Sequence, residues 1–233
     1  MSKHDMKAAA FPGTTILARS GALIRALRAD RSGVSVLELA LVLPVLLTLG
    51  LYGTEMAYMA TINMQVGDIA SSVADNASRL GQTDNTAVTP TVTETQIDSI
   101  MTGALVQGGA FDFQARGRII LSSLERDSST GRQYIHWQRC RGNLSQSSAY
   151  GPEGSGKTGA TLAGMGPTGH QITAVNNSAV MFVEVFYQYQ PLFGTMFAGN
   201  STMFRREAAL LIRDGRNLSG VTPGTSASQS SCS

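Results

Sequence analysis

The sequence predicts an α+β protein, in which a long N-terminal transmembrane and stalk helix precedes a small antiparallel-sheet head. Three observations lead to this fold class. An apolar run, VSVLELALVLPVLLTLGLYG, occupies residues 34–53. Residues 93–106 then place apolar side chains at helical spacing, and only later segments alternate with a period of two, most clearly residues 179–190. Helical periodicity followed by strand periodicity indicates helices and an antiparallel sheet rather than repeated βαβ units.

The charge is unevenly distributed along the chain. Of 233 residues only 15% are charged, and the net charge is +2, against about 25% charged residues in a typical globular domain. Such a small net charge excludes a strong general attraction to nucleic acid. Residues 1–33 carry six basic and two acidic side chains. This basic leader, next to an apolar run, predicts a cytoplasmic N-terminus and a head outside the membrane.

The apolar run is long enough to cross a bilayer, which takes about 20 residues. We expect one transmembrane helix at roughly residues 36–57, loosened or kinked at Pro44, whose missing N–H removes one helical hydrogen bond. A buried core helix is the alternative, but the dense Leu/Val run has no polar face. A cleaved secretory signal fits poorly, because no small-x-small site follows the run.

One acidic residue, Glu38, lies inside this apolar run, five residues after Gly33. A Gly, four residues and then a Glu is the arrangement of a type IV prepilin-like leader, which a membrane peptidase cuts after the Gly. Cleavage there would free the amine of Val34 one helical turn from the Glu38 carboxylate. In a filament, the amine of one subunit can neutralise the Glu of its neighbour and offset its burial. The alternative is an interfacial Glu38 that reaches headgroup water.

Beyond the membrane, a narrow apolar stripe continues the helix and has to pack either on the head of the same chain or on a neighbouring helix. We expect Asn76 at its one polar position. The stripe consists of Met59, Ile62, Val66, Ile69, Val73 and Leu80.

The head is predicted from local signals. Residues 81–92 are a polar linker, a capping box at 93–96 begins a helix that runs to about Val106, and Gly108 ends it. The predicted strands are residues 118–124 and 133–139, which form a hairpin, then 179–190 and 204–213. The last of these could also pass for a helix; as a strand it turns Ala208, Leu210 and Ile212 inward.

The resulting organisation has four parts. They are a basic cytoplasmic leader (1–33), a transmembrane helix and stalk (34–80), an extracytoplasmic α+β head (81–216) and a flexible tail (217–233). Within the head, a Gly/Ser-rich loop occupies residues 142–178, and a loop of that length is usually functional or disordered.

Cys140 and Cys232 are the only cysteines, and both fall in the external part. In an oxidising compartment a disulfide between them is expected, and it would attach the tail to the second strand. Two free thiols are the alternative.

Two features suggest chemistry that the context does not support. Residues 151–158, GPEGSGKT, match the phosphate-binding pattern G-x-x-x-x-G-K-[ST], but polar residues precede them and Gly and Pro follow, where a strand and a helix are required. His136 and His170 have no carboxylate or nucleophile at a sequence spacing that is typical of a catalytic motif. The sequence has no Cys-x-x-Cys pair, which would suggest a metal site. We expect no enzyme, no metal and no cofactor.

The segment RSGVSVLELALVLPVLL, residues 31–47, resembles the N-terminus of TadE-like proteins, the minor pseudopilins of the tight-adherence (Tad, Flp-type) pilus system. Three later segments look like parts of the same family: IHWQRCRG (135–142), VEVFYQYQPLFG (183–194) and FRREAALLIRDGRNL (204–218). Major Flp pilins have Glu-Tyr after the cleavage site, whereas this chain has Glu38-Leu39, which argues against a major pilin.

The resemblance implies a non-enzymatic subunit of the bacterial inner membrane that takes part in pilus assembly and surface adhesion. Its cleavage junction would be Gly33–Val34, and Glu38 would act in assembly. Its partners would be a prepilin peptidase, other pilins or pseudopilins and the inner-membrane assembly platform, with no small-molecule substrate. Two alternatives stay open: an uncleaved, single-pass periplasmic scaffold protein and, more remotely, a P-loop nucleotide-binding protein.

Overall fold

The structure is a computed structural model and describes residues 26, 28, 33–81, 89–194, 202–213, 215–223 and 230–232. Most of the basic leader, the larger part of the predicted linker and part of the tail therefore lie outside the described residues. The chain divides into two units, residues 1–53 and 54–233. Within the described residues the fold class is confirmed as α+β, with a long N-terminal helix followed by a four-stranded antiparallel sheet.

The long helix α1 spans Val34–Ser78 without interruption and passes through Pro44. In the second unit it buries a stripe of one face, and this stripe packs on the chain's own head, as the first of the two alternatives predicts. Burying each of the larger side chains stabilises the head by about 1.5–3 kcal/mol. The buried apolar residues of this stripe are Ile62, Val66, Ile69, Ala70, Val73, Ala74 and Ala77.

The end of the stripe differs from the prediction. Asn76, expected at a polar position of the seam, is exposed, and Ala77 is buried in its place. The reason is that an α-helix has 3.6 residues per turn, whereas alternating steps of three and four average 3.5. A stripe predicted in such steps therefore drifts away from the buried face of the helix.

The second helix, α2, spans Glu94–Gln107. Its capping box is confirmed: the Thr93 hydroxyl accepts from the Gln96 N–H at 3.3 Å, and the Gln96 side chain accepts from the Thr93 N–H at 3.0 Å. Gly108 is the C-cap, as predicted. A 3₁₀ turn at Gly109–Phe111 and a short helix α3, Phe113–Arg116, lead into the sheet.

The sheet has the strand order β3-β2-β4-β5, with every neighbouring pair antiparallel. The predicted hairpin is confirmed as β2, Gly117–Arg126, and β3, Gln133–Arg141. The remaining strands are β4, Ala179–Gln188, and β5, Met203–Leu211. The last segment is therefore a strand and not a helix. Ile212 is buried and Ala208 packs against the core, but Leu210, expected inward, is 38% exposed because β5 lies at the edge of the sheet.

A bulge in the hairpin changes which face its residues occupy. Ser123 pairs with Trp137 but Leu124 pairs with Ile135, so His136 is an extra residue in β3. Trp137 consequently belongs to the core beneath α1, whereas Ile135 packs on the opposite face of the sheet. Strict alternation along β3 does not predict this switch.

The loop 142–178 covers the second face of the sheet. Met165 and Ala174 of the loop pack with Phe182 of β4, and Leu144 packs on Ile120 and Phe186. Glu184 of β4 is fully buried beneath this loop, where it accepts hydrogen bonds from the Ser148 hydroxyl at 2.5 Å and the Ala149 N–H at 3.1 Å. The burial raises the pKa of Glu184. The loop thus forms a packed layer over the second face of the sheet.

The tail also contacts the head where it is described. A short strand β1, Val92–Thr93, pairs in parallel with β6, Val221–Thr222. The predicted disulfide joins Cys140 of β3 to Cys232, and the Cys140 N–H donates to the Ser230 carbonyl at 2.8 Å. These contacts hold parts of a segment that we expected to be flexible.

We expect the disulfide to stabilise the head, because it closes a loop with a sequence separation of 92 residues. The double variant Cys140→Ser, Cys232→Ser should lose about 2–4 kcal/mol of unfolding free energy. Urea unfolding in detergent, followed by the fluorescence of the single, buried Trp137, measures this loss. Reduced wild-type protein is the matched control and should unfold like the variant. An unchanged midpoint in both would contradict the stabilising role.

Candidate functional site

The N-terminal end of α1 carries the predicted cleavage junction. Gly33 immediately precedes the helix, and its carbonyl accepts the N–H of Leu37 at 3.1 Å. Val34 is 48% exposed, and Glu38 is exposed one turn further along. The structure therefore places the Val34 backbone nitrogen and the Glu38 side chain on consecutive turns of one helix, as the spacing predicts, and leaves both accessible within the described part of the chain.

The first half of α1 has an apolar surface on all sides. Every residue from Val34 to Thr54 is exposed. Among the described residues one helix, α1, is long and apolar enough to cross a membrane; its best window has a mean hydropathy of 2.3 and none of that window is buried. A helix that is apolar all round and unburied is typical of a membrane span rather than of a core helix.

Pro44 interrupts the hydrogen-bond ladder of this segment without ending the helix. Four residues later the Thr48 hydroxyl donates to the Pro44 carbonyl at 2.7 Å. A hydroxyl bonded to its own helix is the way in which an apolar helix accommodates a polar side chain.

A buried carboxylate, Glu55, lies just after the apolar run. Its side chain is 0% exposed. It accepts the Tyr189 hydroxyl at 2.5 Å, the Leu192 N–H at 3.0 Å and the Phe193 N–H at 3.1 Å. Three donors around one carboxylate offset the cost of burying it, since hydrogen bonds to a charged acceptor are the stronger ones. We call this group the Glu55 clamp.

Tyr189 is the side-chain member of the clamp. It is 3% exposed, and its ring lies 6.0 Å from that of Tyr58 on α1 and 5.4 Å from that of Phe204 on β5. Burial, followed by the hydrogen bond to Glu55, raises the pKa of Tyr189 above its ordinary value, so its hydroxyl stays a donor at physiological pH. The clamp therefore joins the helix to the end of β4 through both ring packing and directed hydrogen bonds.

Sequence reasoning missed this clamp. No sequence motif singles out Glu55, which follows the apolar run as an isolated acid. The signal that could have found it is an acid at the end of the apolar run together with a turn-forming segment, residues 190–194, after the predicted strand. The pairing itself joins positions 137 residues apart, which no local pattern reveals.

Further polar contacts join the C-terminal strand region to α1. Arg206 of β5 donates to the Asn63 side chain at 3.0 Å, and Arg213 pairs with Asp75 at 2.6 Å. Arg216 is buried and donates to the Ala77 carbonyl at 3.3 Å, and its burial lowers its pKa to about 10. The part of the helix from Asn63 to Ala77 is thus held by three arginine side chains of the C-terminal region.

A buried ion pair connects α2 to β3. Arg139 contacts both carboxylate oxygens of Glu94, at 2.5 and 3.1 Å, and both residues are buried. Glu153 of the loop adds a contact to Arg139 at 3.2 Å. Burial acts to lower the pKa of Arg139, but the bonds and charge of Glu94 outweigh it and raise that pKa.

The phosphate-binding pattern at 151–158 has a structural use. The Ser155 carbonyl accepts the Ile135 N–H at 2.9 Å, and the Gly154 N–H donates to the Ile135 carbonyl at 2.8 Å, so this stretch pairs with the edge of β3. Gly156 has φ +89°, and a Cβ there would lie 2.3 Å from the Gln133 carbonyl. The composition of this segment predicts a flexible loop, and the pairing with β3 shows that this prediction is wrong. Residues 159–178 contain no helix of the kind that a P-loop requires.

The two histidines are placed differently. His170 is exposed in the loop. His136 does have a carboxylate partner, contrary to the expectation from its spacing: its Nδ1 lies 2.8 Å from a Glu125 oxygen. The bulge and the hairpin register bring these two residues together across strands. Within the described residues, no group of three or more His, Cys, Asp or Glu side chains is placed to hold a metal ion.

A cleft of about 670 Å³ lies beside the disulfide. It is lined mainly by backbone, amide and hydroxyl groups of residues 142–148, together with Gln138 of β3. Of the described residues that line it, Arg118 is the one with a charge, and its guanidinium donates to the Gly142 carbonyl at 2.9 Å. The lining brings together no acid–base or nucleophile–base pair.

We predict that Glu55→Gln loosens the residues that the clamp holds, because a neutral amide oxygen is a weaker acceptor than the charged carboxylate oxygen that receives both backbone N–H groups. The amides of Leu192 and Phe193 should exchange hydrogen on the order of tenfold faster or more. Hydrogen exchange resolved at residues 190–194 measures this. Tyr189→Phe is the matched control: it removes one donor, leaves the backbone bonds, and should preserve most of the protection. Equal protection in Glu55→Gln and wild type would contradict the clamp.

Comparison with known proteins adds no relative from which a role could be transferred. No family model, no curated protein and no solved structure matches this chain. The function of the chain is therefore inferred from its own residues and contacts.

Proposed function

We propose that this protein is a minor pseudopilin of a Tad/Flp-type pilus, a non-enzymatic membrane-anchored subunit that takes part in pilus assembly and surface adhesion. The observation that carries the proposal is the start of α1. An exposed acid, Glu38, lies one turn after an accessible Gly33–Val34 bond, on a helix that is otherwise apolar and unburied up to Thr54. The likeness of residues 31–47 to TadE-like proteins supports the same reading.

Glu38 would act in assembly through the amine that cleavage releases. A carboxylate within an apolar helix surface is costly in hydrocarbon. After a cut between Gly33 and Val34, the new amine of a neighbouring subunit can pair with Glu38, and at low dielectric this attraction both offsets the burial and favours one axial register. The apolar surface of residues 34–53 would then pack on other pilin helices in the filament or remain in lipid before assembly.

The proposed location is the bacterial inner membrane, with the N-terminus in the cytoplasm and the head in the periplasm or outside the cell. The basic leader favours this orientation. The disulfide between Cys140 and Cys232 is consistent with a head in an oxidising compartment. The proposed partners are a prepilin peptidase, other pilins or pseudopilins, and the inner-membrane assembly platform.

The first test is the N-terminus of the mature protein. We expect intact-mass analysis of protein purified from its native cells to show loss of residues 1–33, so that the chain begins at Val34. Protein from cells lacking the prepilin peptidase should keep the leader and is the matched control. A full-length chain in cells with active peptidase would contradict the proposal and leave the uncleaved periplasmic scaffold protein as the better assignment.

The second test separates processing from assembly. Glu38→Ala should insert and be cut, because the scissile bond is unchanged, but should be lost from purified pilus complexes, because the neighbour's amine has no partner. Glu38→Gln keeps the shape and removes the charge, and it should fail in the same way. Thr48→Ala, an exposed change on the same helix, is the control. Co-purification of Glu38→Ala at the wild-type level would exclude the assembly role.

A further inference from the structure

The turn after β4 exposes two large apolar side chains. Leu192 is 52% exposed and Phe193 is 41% exposed. Their backbone N–H groups, in contrast, both donate to the buried Glu55 carboxylate. The turn at 191–194 therefore directs polar backbone groups inward and apolar side chains outward.

This arrangement suits contact with an apolar medium. An N–H group without a partner is expensive to place in lipid, and in a turn it is usually left to water. Here the carboxylate of Glu55 satisfies the two N–H groups from within the head, and Glu55 itself is fully covered. The exposed side of the turn can therefore lose its water while both N–H groups keep their hydrogen-bond partner.

The position of the turn identifies the medium. The exposed apolar run of α1 continues to Tyr52, three residues before Glu55. At 1.5 Å per residue, Glu55 lies about 5 Å further along the helix axis than the end of this run. The turn at 191–194 is hydrogen-bonded to this same Glu55. A bilayer that contains the apolar run ends within a few residues of Glu55 in the chain, so the interfacial layer is the apolar medium that Leu192 and Phe193 can reach.

The surroundings of the turn have interfacial chemistry as well. A cleft of about 410 Å³ beside Leu192 is lined by Tyr58 and Tyr187 and by the charged side chains of Asp112 and Arg116. Tyr187 is itself buried, so Tyr58 and the ion pair between Arg116 and Asp112, whose side chains lie 3.8 Å apart, are the polar groups beside this apolar surface. Such a mixture is found where proteins meet lipid headgroups.

We infer that the turn at 191–194 inserts Leu192 and Phe193 into the interfacial layer of the membrane on the head side, so that the head has a second lipid contact beside its helix. The Glu55 clamp holds the turn in the form that inserts. This inference rests on the membrane anchorage in the proposed function but not on cleavage, pilus assembly or any partner protein.

Quenching of a tryptophan by brominated lipid tests the insertion. Phe193→Trp is placed in the full-length chain, whose single native Trp137 is buried in the head and sets the baseline. The protein is reconstituted at low density in vesicles of phosphatidylglycerol and phosphatidylcholine with acyl chains brominated near the headgroup or near the bilayer centre. We expect emission from Trp at 193 to be lost mainly to the shallow bromines, since interfacial side chains enter only about 5–10 Å.

Two matched variants make the outcome decisive. Val106→Trp replaces a residue of α2 that is 76% exposed and should show no quenching beyond the baseline. Leu49→Trp replaces a residue of the apolar run that is 63% exposed and should be quenched by the deep bromines.

The pattern of quenching separates two claims, the insertion of the turn and the anchorage of α1 in the membrane. If Leu49→Trp is quenched while Phe193→Trp matches Val106→Trp, the turn does not insert and the inference is overturned, with the anchorage intact. If neither Leu49→Trp nor Phe193→Trp is quenched, the anchorage fails and the insertion fails with it. A blue shift of Phe193→Trp that grows with protein density, without quenching, would assign the patch to a second copy of the chain and also overturn the inference.

Discussion

Much of this structure depends on a single helix that meets two different surroundings along its length. Up to Thr54, α1 is exposed on every side and apolar, and from Ile62 it buries one stripe against the sheet. An all-round apolar surface is stable in lipid or against other apolar helices, whereas a stripe needs a single partner face. The sheet supplies that face, so the core of the head includes the buried stripe of α1.

The change between the two surroundings coincides with the Glu55 clamp. Apolar packing has little directionality, so an apolar stripe by itself only weakly determines the rotation and axial register of the helix on the sheet. Hydrogen bonds are directional, and those from Tyr189, Arg206 and Arg213 reach α1 at Glu55, Asn63 and Asp75. These donors all come from β4, β5 and the residues that follow them. The C-terminal half of the sheet and the residues that follow it are thus the part of the head that fixes its position on the helix.

The features set by neighbouring residues were predictable. The apolar run, the capping box at Thr93, the hairpin and the alternation of residues 179–190 each follow from side chains a few positions apart, and the structure contains all of them. The features set by distant residues were not. The bulge at His136 depends on how β2 and β3 pair, and the order of the loop 142–178 depends on a sheet face that it covers. Its Gly- and Ser-rich composition by itself indicates a mobile segment.

The candidate site divides in the same way. Composition and distances along one helix are enough to predict the long apolar helix, the spacing of Gly33, Val34 and Glu38, and the pair of cysteines. The packing of the head is needed to bring the donors of residues 189–193 to Glu55 and to leave Leu192 and Phe193 facing outward. The physical reason is that a buried carboxylate accepts whichever donors the fold brings within about 3 Å, and that proximity arises from the packing of the whole head.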